Sequence, residues 1–271
     1  MSHRAASLSE VPPVCIPRHD AAMSNDKDPL ADFQQEVARN IDGLRQDEHL
    51  RQLSSQWLEA SLPHRYSYNF SWMGRPIIQY PQDMIAMQQI LWQVRPDLIV
   101  ETGIAHGGSL IFYASLCELM GHGEVLGIDI DIRAHNRAAI EAHPMFRRIG
   151  LLQGSSVDPM VVAQVHERAR GKNVLVVLDS NHTHEHVLAE LDAYTPLVGA
   201  GSYCVVFDTV IEDLPAGRYP ERPWDVGNNP KTAVAQFLAT HPEFEVDTAL
   251  EAQIAITVAT GGYLRRRSGP A

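Results

Sequence analysis

From residue 82 onward the chain alternates between two hydrophobic rhythms. Runs with apolar residues at helical spacing, such as "QDMIAMQQILWQV" and "SLIFYASLCELMGHG", precede short blocks that are apolar at nearly every position, such as "DLIVETG" and "EVLGIDID". The pattern repeats through "RAHNRAAIEAH", "RIGLLQG", "DPMVVAQVHERARG", "NVLVVLDS", "THEHVLAELDAYTPL" and "SYCVVFD". Strands that are apolar on both faces and alternate with amphipathic helices predict a parallel sheet covered on both sides. The end of the chain breaks the rhythm. "KTAVAQFLATH" predicts a helix, and "EFEVDT" and "AQIAITVATGGYLRRR" predict two strands joined by a short connection, as in an antiparallel hairpin.

Before residue 82 the pattern differs. Phe33, Val37, Ile41 and Leu44 predict helix over 31–60. The segment 61–81 is irregular and aromatic. Residues 1–30 carry Pro12, Pro13, Pro17 and Pro29 without period and read as a tail. The expected organisation is a tail (1–30), a helical and aromatic-loop extension (31–81), and an α/β domain (82–271).

In a parallel sheet, ligands bind at the carboxyl ends of the strands. Glu101 ends the first strand, Asp129 and Asp131 the second, Asp179 the fourth and Asp208 the fifth, while Ser155 and Ser156 follow the third. Isolated acids at such positions are ordinary solvated ends or helix caps; their recurrence along one rim points to a site. "ETGIAHGGSLIF" runs from strand to helix through Gly103, Gly107 and Gly108. Glycines there let the backbone turn sharply and approach a ligand. The spacing is neither the dinucleotide fingerprint nor a Walker loop, and no Lys lies in the turn. Asp129, about 26 residues beyond Gly103, is placed to accept ribose hydroxyls.

Composition narrows the classes. A net charge of −11 disfavours nucleic acid and anionic lipid as partners. No stretch has the ~20 apolar residues of a membrane span, and the sequence shows no apolar leader, so no membrane insertion is expected. Three scattered cysteines, Cys15, Cys117 and Cys204, fit a reducing cytoplasm.

"LDSNHTHEH" holds three histidines and spells H-x-x-E-H at His182, Glu185 and His186. On a helix, His182 and His186 would share a face and bind zinc for hydrolysis. But the motif directly follows a strand end, and no third ligand is apparent. The other reading uses Asp179 as a hard oxygen ligand and His182 as a base, leaving His184 and His186 on the surface or at the helix cap.

Together "RPDLIVETGIAHGGSLIF", "GIDIDIR", "VLDSNHTHEHVLAEL", "GSYCVVFDT" and "GGYLRR" resemble the class I S-adenosylmethionine-dependent methyltransferases, and more narrowly the cephalosporin hydroxylase/rhamnosyl O-methyltransferase family, over roughly residues 64–267. The resemblance implies a Rossmann-like, seven-stranded, mostly parallel sheet with a C-terminal antiparallel hairpin. It implies that Glu101, Thr102, Gly103, His106, Gly107 and Ser109 line the methionine part of the cofactor. Asp129 would hold the ribose, and Ile130, Ser155 and Ser156 would border the adenine. It also implies Mg2+ (or Mn2+) held by Asp179, itself beside the cofactor, and by Asp208, with His182 at the position of the base. Many relatives carry Glu-Asp where this chain has Phe207–Asp208, so the third metal ligand is sought among Thr209, Glu212 and Asp213. The expected activity is O-methylation of a small-molecule hydroxyl acceptor, such as a sugar or polyhydroxylated natural product, by a homo-oligomer. Tyr68, Trp72, Tyr219 and Trp224 are the candidates for the acceptor pocket. The alternatives are a methyltransferase-fold accessory protein without methyl transfer, and the zinc hydrolase.

Overall fold

The computed structural model describes residues 28–269; Cys15 and the expected tail, apart from its last three residues, lie outside them. Among the described residues, those up to Ala38 fall in one unit and those from Arg39 in a second. Helix α1 (Pro29–Gln46) begins in the first and ends in the second, and α2 (Glu48–Ser61) follows after a break at Asp47. The periodicity of 31–60 reads as one helix. Asp47 splits it, because its carboxylate accepts from Leu50 N at 2.9 Å and caps a new helix start.

The aromatic segment is more regular than its sequence predicts. After two 3-10 turns, β1 (Phe70–Trp72) and β2 (Arg75–Ile77) pair antiparallel. Met73 and Gly74 between them both have positive φ (45° and 85°), as a two-residue type I′ turn requires. Helix α3 (Pro81–Val94) leads into the sheet domain, where β3 (Leu98–Thr102), α4 (Gly108–Met120), β4 (Glu124–Asp129), α5 (Ala134–Glu141), β5 (Ile149–Gln153), α6 (Pro159–Ala169), β6 (Val174–Leu178), α7 (His184–Tyr194) and β7 (Tyr203–Val206) alternate as the hydrophobic rhythm predicts. Next come α8 (Pro230–Thr240), β8 (Phe244–Val246), α9 (Thr248–Ile254) and β9 (Tyr263–Arg266).

The seven-stranded sheet has the order β5-β4-β3-β6-β7-β9-β8. The first five are parallel, and β9 runs antiparallel between β7 and β8. The expected antiparallel pair is therefore present, but its second strand is shorter and the connection is not short, because α9 lies between β8 and β9. Residues 248–254 are helical: Asp247 accepts from Leu250 N, Leu250 and Ile254 bury one face, and Ala255 at φ 58° ends the helix. Alternate residues of β3 serve opposite layers. Ile99 packs towards α3 and α4, while Leu98 and Val100 pack towards α6 and α7. Glu101 shares the Ile99 face, so an acid sits at the sheet end beneath α4. Cys117 and Cys204 are buried free thiols. No described helix is long and apolar enough to cross a membrane.

Candidate active site

The strand ends are tied into one rim by hydrogen bonds that continue the sheet ladder. Gly103 N donates to Ile128 O (2.8 Å), Asp179 N to Thr102 O (3.0 Å), and Phe207 N to Leu178 O (3.0 Å). Gly103 has φ +86°, and a Cβ there would lie 2.0 Å from the Asp179 carbonyl oxygen. Only glycine lets the turn after β3 pass this close to the end of β6.

The turn is clamped from three directions. Asp129 accepts from Ile104 N (2.9 Å) through one oxygen and from Asp131 N (3.0 Å) through the other. Arg75 of β2 donates to the His106 carbonyl from Nε (3.1 Å) and Nη2 (2.5 Å), and reaches Asn136 Oδ1 at 3.2 Å. Asn136 in turn donates to Ala105 O at 2.8 Å. Ser109 Oγ donates to Glu101 Oε2 at 2.9 Å. Burial raises the Glu101 carboxyl to about 8 despite that bond, with Asp129 adding to the rise. A cavity of about 170 Å³ opens here, with Gln79, Gly103, Ser109, Asp129, Asp179 and Ser180 among its lining. His106 also lines it, whereas Gly107 and Thr102 do not. Gly107, at φ +80°, lies against Ile140, and Thr102, expected to touch the cofactor, is fully buried on the opposite face from Glu101. Ile130 is an apolar side chain left 73% exposed directly after Asp129.

The histidine-rich stretch divides among three jobs. Helix α7 starts only at His184, so His182 and His186 do not share a helix face and the H-x-x-E-H geometry does not form. His186, expected on the surface, joins a polar cluster: Nε2 lies 3.0 Å from Ser156 Oγ, 3.3 Å from Ser180 Oγ and 3.4 Å from Oε1 of the fully buried Glu190. Ser180 Oγ also donates to Glu190 Oε1 at 2.7 Å. Ser155 precedes this cluster in the turn after β5 and is half-buried. His184 bridges to α8, contacting Thr232 Oγ1 (2.8 Å) and Gln236 Oε1 (3.0 Å). Both positions carry polar partners far away in sequence, which local spacing does not reveal.

His182 turns the other way. Asp179, His182 and Asp208 each bring a ligand-type atom to within 4.8 Å of the others, the one such group among the described residues. His182 Nε2 lies 3.2 Å from Asp208 Oδ2. Desolvation, then Asp208 and Glu101, raise the Asp179 carboxyl well above the usual carboxylate range. Asp208 itself adopts a left-handed backbone, φ 56°, a conformation Asp tolerates better than most residues. The three further metal candidates face elsewhere. Thr209 is fully buried. Glu212 accepts from Gly227 N (2.8 Å) and Asn229 Nδ2 (2.5 Å) and so orders the 225–229 loop. Asp213 pairs with Lys231 (2.6 Å) and Thr260 (2.7 Å). Phe207 packs into the core.

Of the acceptor candidates, Trp224 packs edge-to-face on His182 with ring centroids 4.7 Å apart. The Tyr219 phenol is raised by burial and then by Asp208, and Tyr68 lies near enough to add to the effect. Trp72 is elsewhere: its indole donates to Ser115 Oγ of α4 at 3.0 Å and packs edge-to-face with Phe112. Sequence reasoning passed over Arg75, Asn136, Gln79 and Ser180. The signal for Gln79 is a polar residue inside the apolar run "PIIQYP" just before a helix.

Comparison with known proteins bears on this site. The family described as Rhamnosyl O-methyltransferase/CmcI matches residues 64–267. The chain is 31% identical over 215 residues to the rhamnosyl O-methyltransferase of Mycobacterium leprae (strain TN), which covers 75% of this chain and 89% of the relative. It is 30% identical to the enzyme of the same name from Mycobacterium bovis BCG, with 75% and 83% covered. Among solved structures, CmcI in a Mg-SAM form superposes with a TM-score of 0.53 at 23% identity, over 74% of this chain and 78% of that one. A caffeoyl-CoA O-methyltransferase homologue from Staphylococcus aureus gives a TM-score of 0.50 at 14% identity, over 80% and 90%. Those structural likenesses establish a methyltransferase fold. The sequence match goes further, and the chain belongs to the rhamnosyl O-methyltransferase/CmcI family.

Proposed function

We propose that the protein transfers a methyl group from S-adenosylmethionine to a hydroxyl of a sugar or polyhydroxylated small molecule, with a divalent cation, magnesium or manganese, held by Asp179 and Asp208. One observation carries this reading: Asp179, His182 and Asp208 converge at the ends of β6 and β7, directly beside the glycine turn and its cavity. The residues fit both groups. Glu101 Oε1 is buried without a partner, and a Cβ at Gly103 would close the passage between the turn and Asp179. Two hard carboxylates suit magnesium or manganese better than zinc.

A bound cation supplies positive charge that lowers the pKa of the acceptor hydroxyl. The chain's residues do the rest. Asp208 Oδ2 orients His182 through Nε2, which leaves Nδ1 as the proton-accepting nitrogen. Trp224 packs edge-to-face on His182, and Trp224, Tyr219 and Tyr68 are the aromatic side chains we assign to a sugar face of the acceptor. Asp129 has lone pairs free for ribose hydroxyls, and Ile130 offers an apolar cover for the adenine. Fixing nucleophile and methyl donor along one line removes much of the entropic cost of the displacement. The names of the relatives, rhamnosyl O-methyltransferases, support a glycosyl acceptor. Methyl transfer from labelled S-adenosylmethionine to a panel of diol-bearing glycosides, with and without EDTA, tests the reading. Turnover that survives chelation overturns the metal role; no turnover with any acceptor, alongside cofactor binding, favours the accessory reading. We further infer self-association through the N-terminal helices, where Leu53 and Trp57 of α2 are 46% and 39% exposed. Sedimentation showing only the 30.1 kDa chain overturns that.

A further inference from the structure

Asp83 sits in the first turn of α3 and is fully buried. An acid there ordinarily answers the first amides of its own helix. Here the donors come from the far end of the chain. Oδ1 accepts from Thr257 Oγ1 (2.5 Å) and Tyr263 Oη (2.7 Å), and Oδ2 from Val258 N (3.1 Å). Burial raises the Asp83 carboxyl to about 6 against the pull of these three donors, and Asp208 is near enough to add to the rise. Thr257 and Val258 belong to the irregular connection between α9 and β9, which no strand ladder pairs. Asp83 supplies the acceptor that a ladder would.

That connection also grips the end of β7. Val258 O accepts from Val210 N (3.1 Å) and, at longer range, from Thr209 Oγ1 (3.5 Å). Thr257 Oγ1 accepts from Ala259 N (2.8 Å), Ala259 O from Gly262 N (2.8 Å), and Gly262 O from Val206 N (2.8 Å). Gly262 lies so close that a Cβ there would fall 2.1 Å from Val206 O and 3.2 Å from Thr209 Cγ2. Asp208 is thus held through its neighbours on both sides, Val206 before it and Thr209 and Val210 after it, while its carboxylate faces His182. Its left-handed backbone, φ 56°, persists where the surroundings impose it. With Phe207 in the core, Asp208 is the one acid from the end of β7 in the group with Asp179 and His182, so its placement decides the geometry of that group. We propose that Asp83 is a positioning residue for Asp208: it fixes the 257–262 connection, and that connection sets the turn that presents the Asp208 carboxylate to the cation. The assignment rests on the metal reading above.

The test measures Mn2+ affinity of the full chain by calorimetry, with S-adenosylhomocysteine as the second ligand. Asp83→Asn keeps the shape and an acceptor for the two hydroxyls but turns Nδ2 towards Val258 N, donor against donor. Tyr263→Phe removes one bond to the same carboxylate and leaves the Val258 arm in place. Both variants lose a buried bond, so a merely structural role would act on them alike. Asp83→Asn should weaken Mn2+ ~5–100-fold, the usual range for coupled sites, and keep S-adenosylhomocysteine within ~3-fold of wild type. Tyr263→Phe should keep both ligands within ~3-fold. Mn2+ affinity of Asp83→Asn within ~3-fold of wild type, equal losses in the two variants, or equal losses for the two ligands overturns the proposal and leaves the metal reading standing. Coupling is reciprocal, so saturating Mn2+ should slow amide exchange at Val210 and Val258 of the wild-type chain by the same ~5–100-fold. Unchanged exchange at both overturns the proposal even where Asp83→Asn does not fold. Wild-type protein that binds no Mn2+, or Asp208→Asn that binds it as wild type does, overturns the metal reading and this assignment with it.

Discussion

At the ends of β3 and β4 the polar side chains are held by backbone; at the ends of β6 and β7 they face one another. Asp129 is fixed by two amides, His106 by Arg75, and Ala105 by Asn136. On the other side, Asp179 and Asp208 stand beside each other, and among the described residues no Lys or Arg forms an ion pair with either. The first half is shaped before anything binds. The second concentrates negative charge that a cation would relieve, and its cross-contacts are His182 with Asp208 and with Trp224. Cofactor binding and chemistry should therefore separate in mutants, with one half governing affinity and the other rate.

The largest effect should come from the second half. Asp208→Asn or Asp179→Asn removes a hard ligand, and the rate should fall ~10³–10⁵-fold, the equivalent of several kcal/mol of charge stabilisation. For Asp208→Asn, S-adenosylhomocysteine affinity by calorimetry should stay within ~3-fold, about the 0.6–0.7 kcal/mol noise of a peripheral change. A parallel collapse in cofactor affinity would mean that the halves are not independent. His182→Ala comes next, with a ~10²–10⁴-fold loss for a missing general base. Divalent-ion affinity should persist, and the acidic limb of the pH–rate profile should flatten. If manganese titration shows that the ion is lost as well, His182 is a ligand and not the base.

The same division explains what the sequence could reveal. The rim at the ends of β3 and β4 is built from strand, turn and helix close together in the chain, so "ETGIAHGGSLIF" and the acid that ends the next strand were enough to bring Glu101, Gly103 and Asp129 to one place. The rim at the ends of β6 and β7 depends on folds of the chain that spacing does not encode. His182 and His186 are four residues apart yet point into different clusters, because the helix starts between them. Glu212 and Asp213 look like ligands beside Asp208 but close contacts with Asn229 and Lys231. Trp72 looks like a pocket aromatic, but its hairpin turns it onto α4. The parallel, doubly covered sheet was legible because two-sided apolar strands admit little else. The short β9 was not, since the apolar residues before it suit a capped helix as well as a strand.

A thermodynamic effect should follow from the buried acid of the first half. Glu101 has a folded-state value of about 8 against an ordinary 4.5. A raised value favours the protonated form in the fold. Its stabilisation is therefore complete below pH 4.5 or so and is lost as the pH rises to about 8, at up to ~1.4 kcal/mol per unit. Glu101→Gln keeps the acceptor for Ser109 and cannot ionise. Its ligand-free melting temperature should exceed that of wild type at pH 9, and the advantage should shrink as the pH is lowered towards 5. A gap that is constant with pH would show that Glu101 does not titrate across this window.

The smallest effect tests whether the clamp on the turn matters beyond the groups that touch the cofactor. Arg75 contributes no atom to the lining of the cavity; it acts through the His106 carbonyl and Asn136. Removing it frees the Ala105–Gly107 backbone, where Ala105 holds an unfavourable φ of 46°. That strain, of order 1–3 kcal/mol, persists only while the surroundings impose it. Arg75→Ala should let the turn relax in the ligand-free protein, and cofactor binding must then restore it. Affinity for S-adenosylhomocysteine should fall ~5–30-fold, the equivalent of about 1–2 kcal/mol. At saturating cofactor and acceptor the turnover rate should recover, because Asp179, His182 and Asp208 are untouched. Since Arg75 works through the turn as a whole, methylthioadenosine should weaken together with S-adenosylhomocysteine. A loss confined to S-adenosylhomocysteine would place Arg75 with the amino-acid end, and a loss of turnover at saturation would tie the two halves of the rim together.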